Sequence, residues 1–279
     1  MEKRNLIIGG ATNYNINQLK PWVLSAKEVA KDNTDVVLVC GNMTPETYSW
    51  LVGEGVILVQ IKQSQNIPVH VLRFLSIYDY LKDTWLDYDY VVTTDVKDVY
   101  FQADPFERLQ GKKLVVASEG LKYKDEPWGD LNLKQTYGPY VYELFKEKEI
   151  FNVGTFGGKS EYVKDMVFHI FTNGINRPIP IVDQAVFNVL INTQPFVDVI
   201  EYTNDWAAEL GTTMDPSKIE QFRSKLLIVE PFFEDGILKD YRDHVFPIVH
   251  QYDRVPQIKK FVQEKYGQED ESQYFIYRT

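Results

Sequence analysis

Two kinds of apolar segment alternate along the first hundred residues, and this alternation limits the possible folds more than any other feature. Short continuous apolar runs, rich in β-branched residues, alternate with segments whose apolar residues recur at helical spacing. In chain order we predict strand 5–8, helix 17–31, strand 35–40, helix 45–52, strand 56–61, helix 70–81 and strand 90–94. Strands joined by helices form a mostly parallel sheet buried on both faces. The pattern therefore predicts a doubly wound α/β fold.

The second half of the chain has a mixed pattern. We predict a long polar loop over residues 120–134, because this segment contains proline, tryptophan and two glycines. The other predicted elements are strands 113–117, 151–156, 197–202 and 226–229, helices 140–148, 162–172 and 182–191, and a last helix after Gln257.

No internal repeat or low-complexity linker divides the sequence, so we expect one compact domain over residues 1–279. Within it we expect an N-terminal half and a second half, which could share the same sheet, and then a C-terminal helix and tail. The boundaries that we predict for these parts are 1–110, 111–255 and 256–279.

Composition limits the partners and the compartment. With 30 Lys and Arg against 40 Asp and Glu, the net charge is −10, which argues against the broad basic surface that nucleic acid requires. The single cysteine, Cys40, cannot form an intrachain disulfide, which favours a reducing compartment. No run of 18 apolar residues and no signal peptide is recognisable. We therefore expect a cytoplasmic protein without a transmembrane segment and without a nucleic-acid partner.

Two carboxylates, Asp95 and Asp98, come directly after the predicted strand 90–94. In a turn just past the end of a strand, side chains three residues apart can converge. Ligands of open α/β sheets bind outside the carboxyl ends of the strands, and two carboxylates there would hold a hard divalent cation. The alternative is an Asp-rich turn without a metal, and the spacing alone does not separate the two.

The segment from Asp95 to Phe106 resembles the acidic motif of GT-A nucleotide-diphospho-sugar glycosyltransferases, although the usual Asp-x-Asp is here Asp-x-x-Asp. Four further segments resemble motifs of this family in the expected order, over residues 5 to about 254. These segments are Arg73-Phe74, Asn152-Val-Gly154, Asp183-Gln184 and Val249-His250. The resemblance implies a Rossmann-like GT-A domain whose mixed, mostly parallel sheet is flanked by helices.

The resemblance also implies an activity. It predicts transfer of a sugar from a nucleotide-diphosphate donor, most simply a UDP-sugar, to a hydroxyl acceptor such as a glycan. Asp95, Asp98 and His250 would hold Mn²⁺ (or Mg²⁺) on the diphosphate, and mixed carboxylate and imidazole ligands favour Mn²⁺. Arg73 would add positive charge at the diphosphate.

The remaining roles that the resemblance implies concern the donor. Asn152, Gly154, Asp183 and Gln184 would lie beside the sugar. The predicted catalytic residues are Asp98, Arg73, Asp183 and Gln184. The loop Ala11-Thr12-Asn13-Tyr14 would hold the nucleoside, and Lys259 would close over the diphosphate.

Each of these residues also has a purely structural explanation. His250 would be a hydrogen-bonded histidine at a strand end, Asp183 would cap a helix, and Arg73 would project from a surface helix. Gly9-Gly10 would form a tight turn, and Lys259 would lie on a solvated helix face.

Four residues in polar segments are weaker candidates for the acceptor side. Trp128 and Trp206 would be either lids over the core or sugar platforms. Glu119 and Asp205 are possible acceptor-side carboxylates.

Two other functions compete with glycosyl transfer. A sugar-phosphate nucleotidyltransferase usually carries a Gly-rich signature with Arg or Lys after the first strand, and residues 9–19 contain neither Arg nor Lys. A non-catalytic carbohydrate- or nucleotide-binding module would have a degenerate acidic motif. The Asp-Gln pair and the C-terminal histidine resemble retaining rather than inverting transferases, but the stereochemistry stays open.

Overall fold

The computed structural model describes residues 3–62, 64, 66–203 and 205–269. Residues 270–279, which belong to the predicted C-terminal tail, lie outside the described residues. The strands are β1 Arg4–Thr12, β2 Thr34–Gly41, β3 Ile57–Gln60, β4 Tyr88–Thr94, β5 Val99–Phe101, β6 Leu114–Lys122, β7 Glu149–Lys159, β8 Ile200–Thr203, β9 Ala207–Glu209, β10 Phe232–Glu234, β11 Ile237–Lys239 and β12 Ile248–His250. The α-helices are α1 Ile16–Val29, α2 Pro45–Gly53, α3 Val69–Thr84, α4 Pro127–Phe145, α5 Ser160–Gly174, α6 Asp183–Ile191, α7 Leu210–Thr213, α8 Ile219–Phe222 and α9 Pro256–Tyr266.

The main sheet confirms the predicted α/β class. In the described part of the chain it has seven strands in the order β3-β2-β1-β4-β7-β6-β8. All neighbouring strands pair in parallel except β4 with β7 and β7 with β6, which are antiparallel. Strands from both predicted halves thus share one sheet.

Both faces of the central strands are buried under helices. On β1, Leu6 and Ile8 pack on the side of α3, α5 and α6, whereas Ile7 packs on the side of α1. Side chains alternate between the two faces of a strand, so a continuous apolar run is what a doubly covered strand requires. This is why the apolar runs predicted β1, β2 and β4.

Gly9 and Gly10 lie inside β1, so the expectation of a tight turn there is wrong. Each glycine allows a neighbouring element to approach. A Cβ on Gly9 would lie 2.5 Å from Val96 Cγ2, and one on Gly10 would lie 3.2 Å from the Cβ of Arg73. The strand therefore passes close to the turn after β4 and to helix α3.

The predicted loop over residues 120–134 is also wrong, since β6 extends to Lys122 and α4 begins at Pro127. The Glu126 carboxylate accepts a hydrogen bond from the backbone N–H of Gly129 (2.5 Å), and proline is favourable in the first turn. The helix is interrupted at Gly138, where φ is 79°. Leu133 and Tyr142 hold α4 against the body of the protein.

The predicted strand over residues 226–229 does not form. Leu227 donates one backbone hydrogen bond to Gly120 (2.8 Å), but no ladder forms over this segment among the described residues. The side chains of Leu227 and Val229 are exposed, so no core contact favours an extended partner strand. The short strands β5, β9, β10 and β11 were not predicted. Strand β10 pairs with β11, and β5 and β9 flank β12 in a separate sheet of order β5-β12-β9.

Among the described residues, we find no helix with the length and apolar character needed to cross a membrane.

Candidate functional site

The short sheet β5-β12-β9 brings three distant segments to the carboxyl end of β4. Asp95 directly follows β4 and Asp98 directly precedes β5. Strand β12 pairs antiparallel with β5, so that His250 lies opposite Val99. On its other edge β12 pairs in parallel with β9, which places His250 opposite Glu209. Strand register therefore fixes the position of His250 beside the two aspartates.

The side chains of Asp95, Asp98 and His250 form a cluster that could hold a metal ion. One ligand atom from each residue lies within 4.8 Å of the others. The Nε2 atom of His250 is 3.7 Å from Asp95 Oδ2 and 3.6 Å from Asp98 Oδ1. Two ligand atoms bound to one ion at about 2.1 Å each can be at most about 4.2 Å apart. The histidine-to-carboxylate distances therefore fit a common ion, and the predicted convergence of the two aspartates is confirmed.

The imidazole of His250 is buried and contacts carboxylates on both sides. Its Nδ1 atom is 2.6 Å from Glu209 Oε2, on the side away from the two aspartates. Burial opposes the charged form of His250, but Glu209 and Asp98 outweigh it and raise the pKa well above its ordinary value. The cluster thus attracts positive charge.

Arg73 reaches this cluster from helix α3, and the alternative of a surface side chain is wrong, since only 15% of the side chain is exposed. Its guanidinium pairs with Asp95 and with Asp183, the latter at 3.1 Å. Its Nε atom is buried and has no hydrogen-bond partner. An unpaired donor of this kind is costly to bury, whereas the two carboxylates hold the rest of the guanidinium in a fixed position.

The structural alternative, in which Asp183 caps helix α6, is wrong. Val182 occupies the N-cap position without a side-chain hydrogen bond, and the Asp183 carboxylate faces Arg73 instead. Burial raises the pKa of Asp183, although the charge of Arg73 opposes this effect. Asp183 is therefore placed for a contact inside the site.

Two amide side chains hold a further carboxylate, that of Glu119, at the same site. The carbonyl oxygen of Asn152 accepts from the Gly154 N–H (2.7 Å), and that of Gln184 accepts from the Val153 N–H (2.9 Å). The amide nitrogens therefore point the other way, and both donate to Glu119 Oε1, at 2.8 and 2.7 Å. Both donors use one carboxylate oxygen, and neither bonds to Oε2.

The ionisation of Glu119 is strongly influenced by its surroundings. Burial raises the pKa of this carboxyl to about 7, with a further contribution from the charges of Glu209 and Glu126. A carboxyl that titrates near neutral pH in a pocket can accept or donate a proton during a reaction. Sequence reasoning had named Glu119 only as a weak acceptor-side candidate.

These groups line one pocket with a volume of about 390 Å³. The exposed ring of Trp128 lies at its rim, and Arg254 and Lys218 add cationic groups. The lining residues are His70, Arg73, Asp95, Asp98, Glu119, Glu126, Trp128, Asn152, Val153, Ile181, Asp183, Gln184, Gly211, Thr212, Lys218, His250, Gln251 and Arg254.

Gly154 does not line the pocket but lies directly behind the cluster. A Cβ at this position would be 2.6 Å from His250 Cε1 and 2.8 Å from Asp95 Oδ2. Glycine is therefore required for the close approach of β7 to the aspartates and the histidine.

The predicted nucleoside loop lies at the end of β1. Ala11 and Thr12 belong to the strand, and Asn13 follows with a φ of 61°. Burial raises the pKa of Tyr14, and the charges of Asp95 and Asp98 add to this effect. The pocket lining includes none of residues 11–14, so their contact with a nucleoside stays a prediction.

Three other predicted residues lie away from the pocket. Trp206 is fully buried and donates from Nε1 to the carbonyl of Pro105 (2.9 Å), so it belongs to the core. Asp205 pairs with Arg108 at 2.5 Å. Lys259 lies on α9, and the pocket lining does not include it, so its predicted role is untested.

Sequence reasoning missed Glu209, Lys218 and Arg254 as parts of the site. Glu209 is the third residue of a short strand, and no local motif marks it. Its role depends on pairing with β12, which the sequence pattern does not reveal.

No protein-family model matches this chain, and a search of curated proteins found no match.

Proposed function

We propose that this protein is a GT-A-like glycosyltransferase. It would transfer a sugar from a nucleotide-diphosphate donor, a UDP-sugar, to a hydroxyl acceptor such as a glycan. The observation that carries the proposal is the cluster of Asp95, Asp98 and His250 at the carboxyl end of a buried parallel strand. This cluster opens into the same pocket as Arg73 and the amide-held Glu119.

The donor set supports a divalent metal on the diphosphate. Two carboxylate oxygens and one imidazole nitrogen suit Mn²⁺, because Mg²⁺ is usually bound by oxygen ligands alone. When bound, the ion would neutralise the diphosphate and stabilise it as a leaving group. Asp95, Asp98 and His250 would hold it there.

Arg73 would stabilise the negative charge that develops on the leaving diphosphate. Its guanidinium is held in place by Asp95 and Asp183 before any ligand arrives, so little reorganisation is needed. This preorganised cation supports the predicted catalytic role of Arg73.

The opposite side of the pocket suits a sugar. Asn152 and Gln184 fix the half-buried Glu119, and Asp183 provides another carboxylate, which is buried. Carboxylates in such positions accept hydrogen bonds from sugar hydroxyls. The exposed ring of Trp128 at the rim offers a flat apolar surface to an acceptor sugar.

The test is ligand-dependent thermal unfolding with UDP and a panel of UDP-sugars, each with Mn²⁺ and with EDTA. A ligand at 100 times its Kd stabilises the folded state by about 2.7 kcal/mol, which is a shift of a few degrees for a domain of this size. We expect a shift for UDP that EDTA abolishes and that the Asp98→Asn variant loses. Asp89→Asn, which changes an exposed aspartate on the preceding strand β4, is the control and should keep the shift.

The products then separate transfer from the competing functions. A glycosyltransferase releases UDP from the UDP-sugar, whereas a nucleotidyltransferase releases pyrophosphate from UTP and a sugar phosphate. Sugar binding without turnover, unaffected by Asp98→Asn, would indicate a binding module. The absence of any shift with every nucleotide would refute the proposal.

A further inference from the structure

We propose that Glu209 is a positioning residue that holds His250 with its Nε2 atom directed towards Asp95 and Asp98. The inference rests on the proposed metal-dependent function, because it concerns the residue behind a metal ligand. Nothing in the sequence motifs includes Glu209. The structure places its carboxylate against the opposite ring nitrogen of the histidine.

The two nitrogens of His250 have separate partners. Nδ1 lies 2.6 Å from Glu209 Oε2, while Nε2 lies 3.6 Å from Asp98 Oδ1 and 3.7 Å from Asp95 Oδ2. A carboxylate can only accept, so Nδ1 donates its proton to Glu209. Nε2 is then the nitrogen that offers a lone pair to a metal, and rotation of the ring would break the bond to Glu209.

Glu209 is itself fixed by its neighbours. Its second carboxylate oxygen accepts a hydrogen bond from the Thr155 hydroxyl, and its backbone carbonyl accepts from the Thr213 hydroxyl at 2.6 Å. The parallel pairing of β9 with β12 aligns Glu209 with His250. Hydrogen bonds on both carboxylate oxygens leave the side chain little freedom to turn away from the imidazole.

The burial of this chain of groups supports a positioning role. Thr155, Glu209 and His250 have exposures of 0%, 2% and 2%. A buried carboxylate costs free energy unless it is paired, and Glu209 is paired with both His250 and Thr155. Histidine ligands of metals commonly donate their other N–H to a carboxylate, and removing that carboxylate typically weakens metal binding about 10- to 100-fold.

The experiment measures Mn²⁺ alone, without nucleotide, by the electron paramagnetic resonance signal of the free ion. Glu209→Met fills the space without an acceptor and is expected to weaken Mn²⁺ binding about 10- to 100-fold. Glu209→Gln keeps a carbonyl oxygen facing Nδ1 and should restore most of that affinity. Asp240→Asn is the control, because Asp240 is another buried carboxylate beside a histidine, His244, outside the pocket.

Thermal unfolding of each variant identifies those that are folded. If Glu209→Met does not fold, Thr155→Val takes its place, and we expect it to weaken Mn²⁺ binding several-fold. The positioning role would be overturned if the folded variant, Glu209→Met or Thr155→Val, bound Mn²⁺ as tightly as the wild type does. It would also be overturned if Glu209→Gln and Glu209→Met bound Mn²⁺ with equal affinity. Mn²⁺ binding that is lost in Asp98→Asn would still support the proposed function in that case. Absence of Mn²⁺ binding by the wild-type protein would overturn the positioning role, whereas the proposed function is tested separately by the nucleotide-dependent shift in thermal unfolding.

Discussion

Replacement of Glu119 by glutamine is expected to change how the stability of the protein depends on pH. In the wild-type protein, Asn152 and Gln184 both donate to one carboxylate oxygen of Glu119. A glutamine carbonyl can accept the same two hydrogen bonds. The Glu119→Gln variant therefore keeps the network and removes the ionisation alone.

The magnitude follows from the pKa of Glu119, which the folded protein raises from 4.5 to about 7, mainly through burial. Between these two values the folded state binds more protons than the unfolded state, so the free energy of unfolding falls as the pH rises. A difference of about 2.5 pH units corresponds to roughly 3 kcal/mol, which the wild-type protein loses between about pH 4.5 and 7. Glutamine does not titrate, so the variant should not lose this stability.

The assay is urea unfolding of both proteins at several pH values from 5 to 8. Relative to the wild type, Glu119→Gln should become steadily more stable as the pH rises, by up to about 3 kcal/mol. Glu161→Gln, which removes an exposed carboxylate from helix α5, should follow the wild-type slope. A difference between Glu119→Gln and wild type that is constant over this range would refute the argument that burial raises the pKa of Glu119.

Two further substitutions test the packing around the site and the core. Gly154→Ala should abolish measurable Mn²⁺ binding while the protein stays folded, because the new Cβ would lie 2.6 Å from His250 Cε1. The control in the Mn²⁺ titration is Gly53→Ala, because a Cβ added at Gly53 would meet no atom within 4 Å. Trp206→Phe should lower the free energy of unfolding in urea by about 1–3 kcal/mol, because it leaves the buried carbonyl of Pro105 without its donor. Unchanged stability would show that this carbonyl finds another partner.

The central strands β1, β2 and β4 could be predicted because the local sequence of each strand indicates that both of its faces are buried. A continuous apolar run such as that of β2 is needed only where both faces of a strand are covered, so the run itself identifies a central parallel strand. The same reasoning failed at residues 226–229. There an apolar run lies at the surface, with Leu227 and Val229 exposed, and periodicity cannot distinguish this case from a strand.

Helix α4 was not predicted at its beginning, because the composition of that segment is typical of a loop. The segment around Pro127 and Gly129 has the residues of a loop, but Glu126 supplies an N-cap and proline fits the first turn. Its stability comes from packing of Leu133 and Tyr142 against the body of the protein. Tertiary contacts of this kind outweigh local propensity and are not visible in the sequence.

The candidate site was predictable only in part, for a related reason. Asp95 and Asp98 are marked locally, because they follow a strand that the sequence identifies. His250 was found only through the resemblance of motifs in a fixed order, and Glu209 was not found. The contact between these last two residues arises from the pairing of two three-residue strands, which carry too few residues for a pattern to emerge.

The charges at the site explain how an acidic protein could bind an anionic donor. The protein carries a net charge of −10, which disfavours a diphosphate at long range. At the site itself, Asp95, Asp98 and Asp183 are close to one another, and Arg73 and His250 offset only part of their charge. Buried like charges destabilise one another, so a divalent cation would relieve this repulsion and at the same time attract phosphate oxygens. We therefore expect the donor and the metal to bind with positive cooperativity, each raising the affinity of the other by the same factor.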